Sequence, residues 1–130
     1  MPEISIDRRP LAEQLIEQFN LGELRSSTCP PDVVAWHNYD DRDVLLATGF
    51  ASLNEIRRQV SELRFDVVQI LEVDAQTSVA RYVLRVTTKE GRSVAIPGCV
   101  IVTGRDGIIR RVDEYLDSGQ LAPIMSLLVT

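Results

Sequence analysis

The chain has 130 residues, 45% apolar and 25% charged, with a formal net charge of −5. That size suits a single domain, residues 1–130, with a real core. An acidic balance with no basic block excludes nucleic acid and anionic membrane surfaces as main partners. No window approaches the roughly 18 apolar residues of a membrane helix. MPEISIDRRP has no basic stretch followed by an apolar run, so the expected location is the cytoplasm.

The two cysteines, Cys29 and Cys99, lie far apart and read as reduced thiols. The lone His37 has no companions at ligand spacing, so neither metal nor other cofactor is expected.

The first element is a helix in RPLAEQLIEQFNLG, where Leu11, Leu15, Ile16 and Phe19 make one stripe. Pro10 suits its first turn and Gly22 its end. ELRSSTCPPD is a loop by composition. VVAWHNYD, 33–40, favours a strand that the following aspartates end. SLNEIRRQVSEL, 52–63, reads as a second helix, with Ser52 and Glu55 spaced as a capping box.

From there the period falls from 3.6 to 2. Four strands are expected at 64–74, 78–88, 93–103 and 107–117, joined by turns short enough for hairpins. Pro97 and Gly98 mark a bulge or sharp bend in the third of them. The apolar tail SGQLAPIMSLLVT fits helix or strand equally, covering the domain or meeting another subunit.

The order makes an α+β fold, a cone-shaped curved antiparallel sheet wrapped around the helices with a hollow inside. Strand alternation then gives the polar residues of the last strand their interest. Counted from Ile108, Glu114 shares a face with Val112 and Leu116. It is either a half-exposed carboxylate paired with an arginine such as Arg81 or Arg110, or a carboxylate looking into the hollow.

WHNYDDRDVLLATGFASLNEIRRQV and IPGCVIVTGRDGIIRRVDEYLDSGQL resemble two segments of nuclear transport factor 2-like proteins, in the expected order, over roughly residues 8–122. Within that superfamily, also described as a cystatin-like α+β barrel, they look like the SnoaL-like polyketide cyclase and limonene-epoxide hydrolase-like branches. The resemblance implies candidate catalytic residues Glu114, Asp117 and Asn38. Glu114 falls at the last-strand carboxylate of the epoxide hydrolases, and Asp117 at the lone aspartate of the cyclases. It also implies that Trp36, Arg81, Tyr82, Val112 and Leu116 contact substrate, although Tyr82, Leu84 and Val86 compete with Arg81 for the inner face.

The epoxide hydrolases pair that arginine with an acid two residues on, where this chain has Val83, so their two-carboxylate route is disfavoured. The simpler roles are a strand end for Asn38, a core aromatic for Trp36, a turn residue for Asp117 and a structural or interfacial His37. The implied function is a lyase, isomerase or cyclase acting on an apolar carbonyl compound, with one carboxylate as base. The rivals are a non-catalytic binding domain for an apolar small molecule and a dimeric scaffold. A homodimer through the outer sheet face is expected, with Ile101, Ile109 and Tyr115 in its patch.

Overall fold

The structure is a computed structural model and describes residues 7–126. The element order is α1 (Leu11–Leu21), β1 (Val34–His37), β2 (Arg42–Leu45), α2 (Leu46–Gln59), β3 (Val60–Glu72), β4 (Thr77–Thr88), β5 (Ser93–Arg105), β6 (Ile108–Leu116) and α3 (Ser118–Met125). The six strands form one sheet in the order β2-β1-β6-β5-β4-β3, which curls without closing. The fold is α+β, with the first two helices and their apolar stripes set against the sheet.

Helix α1 begins after Pro10 and stops at Gly22, which adopts the left-handed conformation (φ 74°) and donates its N–H to the Gln18 and Phe19 carbonyls. Its stripe, Ala12, Leu15, Ile16 and Phe19, is buried with Tyr82, Leu84 and Val86 of β4 and Ile96, Val100 and Val102 of β5. Each large apolar side chain buried this way contributes roughly 1.5–3 kcal/mol. The alternation of buried positions along β4 and β5 shows which face of the sheet is the inner one.

Several boundaries depart from the sequence expectation for identifiable reasons. The aspartates after Tyr39 do not end the sheet; they turn it back. Asp41 takes a left-handed conformation (φ 51°), its N–H reaches the His37 carbonyl, and β2 returns antiparallel to β1. Helix α2 starts at Leu46, so Ser52 lies inside the helix and no capping box forms with Glu55. The helix also stops at Gln59, because Val60 and Leu63 belong to β3 and its long antiparallel ladder with β4.

The sheet is not antiparallel throughout. β2 occupies one edge of β1, and β6 comes to the other edge running parallel to it. Pro97 and Gly98 cause no register shift; β6 ends opposite Gly98, so Pro97 sits where no β6 ladder partner needs its missing N–H. The irregularity falls instead between Thr103 and Gly104, opposite Arg110. It switches the alternation at the start of β6, so Ile109 is fully buried and does not belong to an outer patch, while Ile108 leaves the face of Val112 and Glu114. The tail forms α3 with Leu121 and Ile124 buried, which covers the domain; residues 127–130 lie outside the described residues.

Candidate functional site

The parallel pairing of β1 and β6 sets His37 directly beside Glu114 and Ala35 beside Val112. Alternation sends these four side chains inward and sends Trp36 and Asp113 outward. His37 Nε2 lies 3.2 Å from Glu114 Oε1. The Tyr82 hydroxyl donates to Glu114 Oε2 at 2.6 Å from two strands away. Glu114 is 7% exposed, and both its oxygens are engaged.

A buried carboxylate is costly unless charge and hydrogen bonds compensate it, and here both do. Burial alone pushes the His37 imidazole down; the hydrogen bond and charge of Glu114, with a smaller effect of Asp40, outweigh it and hold His37 above its ordinary value. Burial and then the Glu114 charge push the Tyr82 phenol well up, so it stays a donor. Tyr39, in the turn after β1, stacks obliquely on the His37 ring with centroids 5.0 Å apart. Burial, Glu114 and Asp40 raise its hydroxyl to about 12.

His37, Tyr39 and Glu114 form the polar end of a cavity of about 230 Å³. Asp40, Thr48 and Ser52 add further polar lining, and the remaining wall is largely apolar. It comes from Phe19 on α1, Leu46 and Phe50 on α2, Val112 and Leu116 on β6, and Leu121 and Ile124 on α3. Gly49 brings the α2 backbone close to the imidazole, and a Cβ there would stand 3.7 Å from His37 Cε1. Among the described residues, neither His37 Nδ1 nor the Tyr39 hydroxyl has a protein hydrogen-bond partner. A held imidazole with one nitrogen free, beside a phenol and an apolar hollow, can accept, donate or relay a proton.

The residues singled out from the sequence divide sharply. Glu114, Val112 and Leu116 line the cavity; Tyr82 stands behind Glu114 and acts on it from outside the cavity lining. Asn38 is not in the cavity. It accepts from the Leu116 N–H at 2.8 Å and donates to the Leu116 carbonyl at 3.0 Å, tying the end of β1 to the end of β6. Trp36 is on the outer face, its Nε1 donating to Asp41 and its ring edge-on to Tyr115.

Arg81 is exposed on the outer face and donates to Gln69, with Val83 on the same side, because Tyr82 and Leu84 take the inner positions. The arginine sought from the epoxide-hydrolase resemblance is therefore outside the hollow. Asp117 caps α3, accepting from the N–H groups of Gly119 and Gln120, and is exposed.

His37 and Tyr39 are the cavity groups that sequence reasoning passed over. Their two-residue spacing put them on one face together, opposite Trp36 and Asn38, but which face was inward depended on the register against β6. Among the described residues no cluster of metal-ligating side chains occurs, and no helix is long and apolar enough to cross a membrane. Cys29 is buried, and burial pushes its thiol up despite the opposing hydrogen bond from Thr28, which disfavours a thiolate nucleophile.

No protein-family model and no curated protein sequence matches the chain. Solved structures do. IdmH, a candidate polyketide cyclase from Streptomyces antibioticus, is 16% identical with a TM-score of 0.74 over 89% of this chain and 96% of its own. A nuclear transport factor 2-like protein of unknown function from Burkholderia pseudomallei is 16% identical, with a TM-score of 0.68 over 89% and 95%. A candidate SnoaL-like polyketide cyclase from Shewanella putrefaciens is 11% identical, with a TM-score of 0.70 over 90% and 94%. At these identities the likeness is one of fold, the nuclear transport factor 2-like fold.

Proposed function

On a nuclear transport factor 2-like frame, we propose that this chain binds a small apolar carbonyl compound and moves a proton on the carbon beside the carbonyl. The observation that carries this reading is the His37–Glu114–Tyr82 chain of contacts ending at an apolar cavity. In the neutral form, His37 donates Nε2–H to Glu114 and presents Nδ1 as base. The substrate C–H bond breaks, its proton goes to Nδ1, and the electron pair moves to the carbonyl oxygen as an enolate. Glu114, held by Tyr82, steadies the imidazolium that forms, and the same nitrogen returns the proton at the same or a neighbouring atom. Isomerisation, elimination and ring closure all share that first step.

This changes the assignment of the base. Glu114 has no free oxygen, so its part is to orient and stabilise, while His37 carries the proton. The fold likeness to candidate polyketide cyclases supports a small-molecule function of this general class. The test is deuterium uptake at the α-carbon of 1-tetralone in heavy water, comparing wild type with His37→Gln. A wild-type rate above buffer that His37→Gln removes supports the reading; equal rates refute it.

Ligand binding without turnover is the second reading, favoured by the saturation of Glu114. A second copy on the outer face is proposed as well. Half-exposed Trp36 and Ile101 and exposed Tyr115 support an apolar contact there, and sedimentation of wild type against Tyr115→Glu tests it.

A further inference from the structure

We infer that the Tyr39 hydroxyl, next to His37, is the anchor for a single uncharged oxygen on a compact ligand. This deepens the proposed function and rests on the same cavity. Tyr39 is the hydroxyl-bearing aromatic in the cavity wall, it packs on the His37 ring, and its hydroxyl has no hydrogen-bond partner among the described residues. No buried side-chain polar atom lacks a partner among the described residues, so this hydroxyl is open to water and can exchange that water for a ligand oxygen. With its ionisation raised to about 12 by burial and the neighbouring carboxylates, it keeps its proton and serves as a donor at neutral pH.

The charges nearby decide what kind of oxygen is accepted. The groups facing Tyr39 and His37 are Glu114 from β6 and Asp40 from the same turn, against the single imidazole. An anionic ligand would meet two carboxylates and find at most one positive charge, already paired with Glu114. A ketone or ether oxygen meets a donor and no repulsion. Apart from Thr48 and Ser52, the rest of the wall is largely apolar, so the skeleton attached to that oxygen is mostly hydrocarbon.

Size follows from volume. A cavity of about 150 Å³ holds benzene. At about 230 Å³ this one is about half as large again. The ligand portion inside is thus a substituted single ring or most of a small bicycle, about 9 non-hydrogen atoms by that scaling.

The experiment measures binding of three probes that share one bicyclic skeleton close to that size by calorimetry: 1-tetralone, tetralin and tetralin-1-carboxylate. Wild type is expected to bind 1-tetralone best, with the carboxylate at least about tenfold weaker. Tyr39→Phe should weaken 1-tetralone about tenfold and leave tetralin unchanged. Should that variant fail to fold, magnetisation transfer between the Tyr39 ring protons and bound 1-tetralone in the wild-type protein gives the same answer. The inference is overturned if the carboxylate binds as well as the ketone, if no probe binds, if Tyr39→Phe leaves 1-tetralone affinity intact, or if the ring protons show no contact. Binding that depends on Tyr39 without α-deuterium uptake would keep the anchor and remove the acid–base role of His37. Uptake that depends on His37 but not on Tyr39 would do the reverse.

Discussion

Tyr82 on β4 and Glu114 on β6 are separated by the whole of β5, yet the phenol reaches the carboxylate at 2.6 Å. The reason is Gly98, the β5 residue paired with Tyr82 on one side and Leu116 on the other. A Cβ at Gly98 would stand 2.8 Å from the tyrosine Cζ and hydroxyl and 2.8 Å from a Leu116 methyl. The absence of a side chain lets the ring lie across the strand. Gly98→Ala is therefore expected to displace Tyr82, destabilise the fold by about 1–3 kcal/mol and break the Glu114 bond. Chemical denaturation gives the first quantity, and the His37 imidazole titration followed by NMR gives the second. A fully native titration curve would contradict it.

His37 should titrate above 6.5, and Glu114→Gln should bring it below, because burial then acts without the carboxylate. The folded value is raised over the unfolded one, so the stability from the His37–Glu114 pair is fully present below the unfolded pKa. It is lost as the pH rises through the folded value. Wild type and His37→Asn should accordingly differ most in acid-side denaturation midpoints, near pH 6, and converge toward alkaline pH. A difference that grew with pH would mean that the pair is not ionic.

Replacement of Asp117 separates a helix cap from a base. Asp117→Asn keeps a capping oxygen and should leave both stability and α-deuterium uptake near wild type. Asp117→Ala removes the cap, and a fall of a few degrees in Tm is expected, with uptake affected only as far as α3 loosens. Abolished uptake in the folded asparagine variant would return Asp117 to the chemistry.

Asn38 joins β1 to β6 with one accepted and one donated bond to the Leu116 backbone. Asn38→Asp keeps the acceptor but turns a carboxylate toward a carbonyl oxygen, and about 1–3 kcal/mol of stability should be lost. Because the amide lies outside the cavity, 1-tetralone affinity in the folded fraction should change little. A large loss of affinity with unchanged stability would place Asn38 in the site after all.

The meander and the apolar stripe of α1 were legible because period and turn residues agreed, down to the Asp106–Gly107 turn with both φ angles positive. The inward direction of Glu114 was legible from alternation with Val112 and Leu116. The partners of Glu114 were not. They depend on the register of β1 against β6, a parallel pairing that no local pattern announces, and on a glycine one strand away. Family likeness drew Trp36 and Asn38 inward, and a single step of strand parity reverses that choice in favour of His37 and, past the strand end, Tyr39. Arg81 followed the same logic on β4, where Tyr82 holds the inner position.

The clamp between Asn38 and Leu116 spans 78 positions along the chain. A polypeptide emerging from synthesis carries His37 well before Glu114, so the imidazole waits for its carboxylate until β6 has been made. Such distant pairing slows assembly. A chain cut before β6 lacks Glu114 and Leu116, so neither the His37–Glu114 contact nor the Asn38 clamp can form.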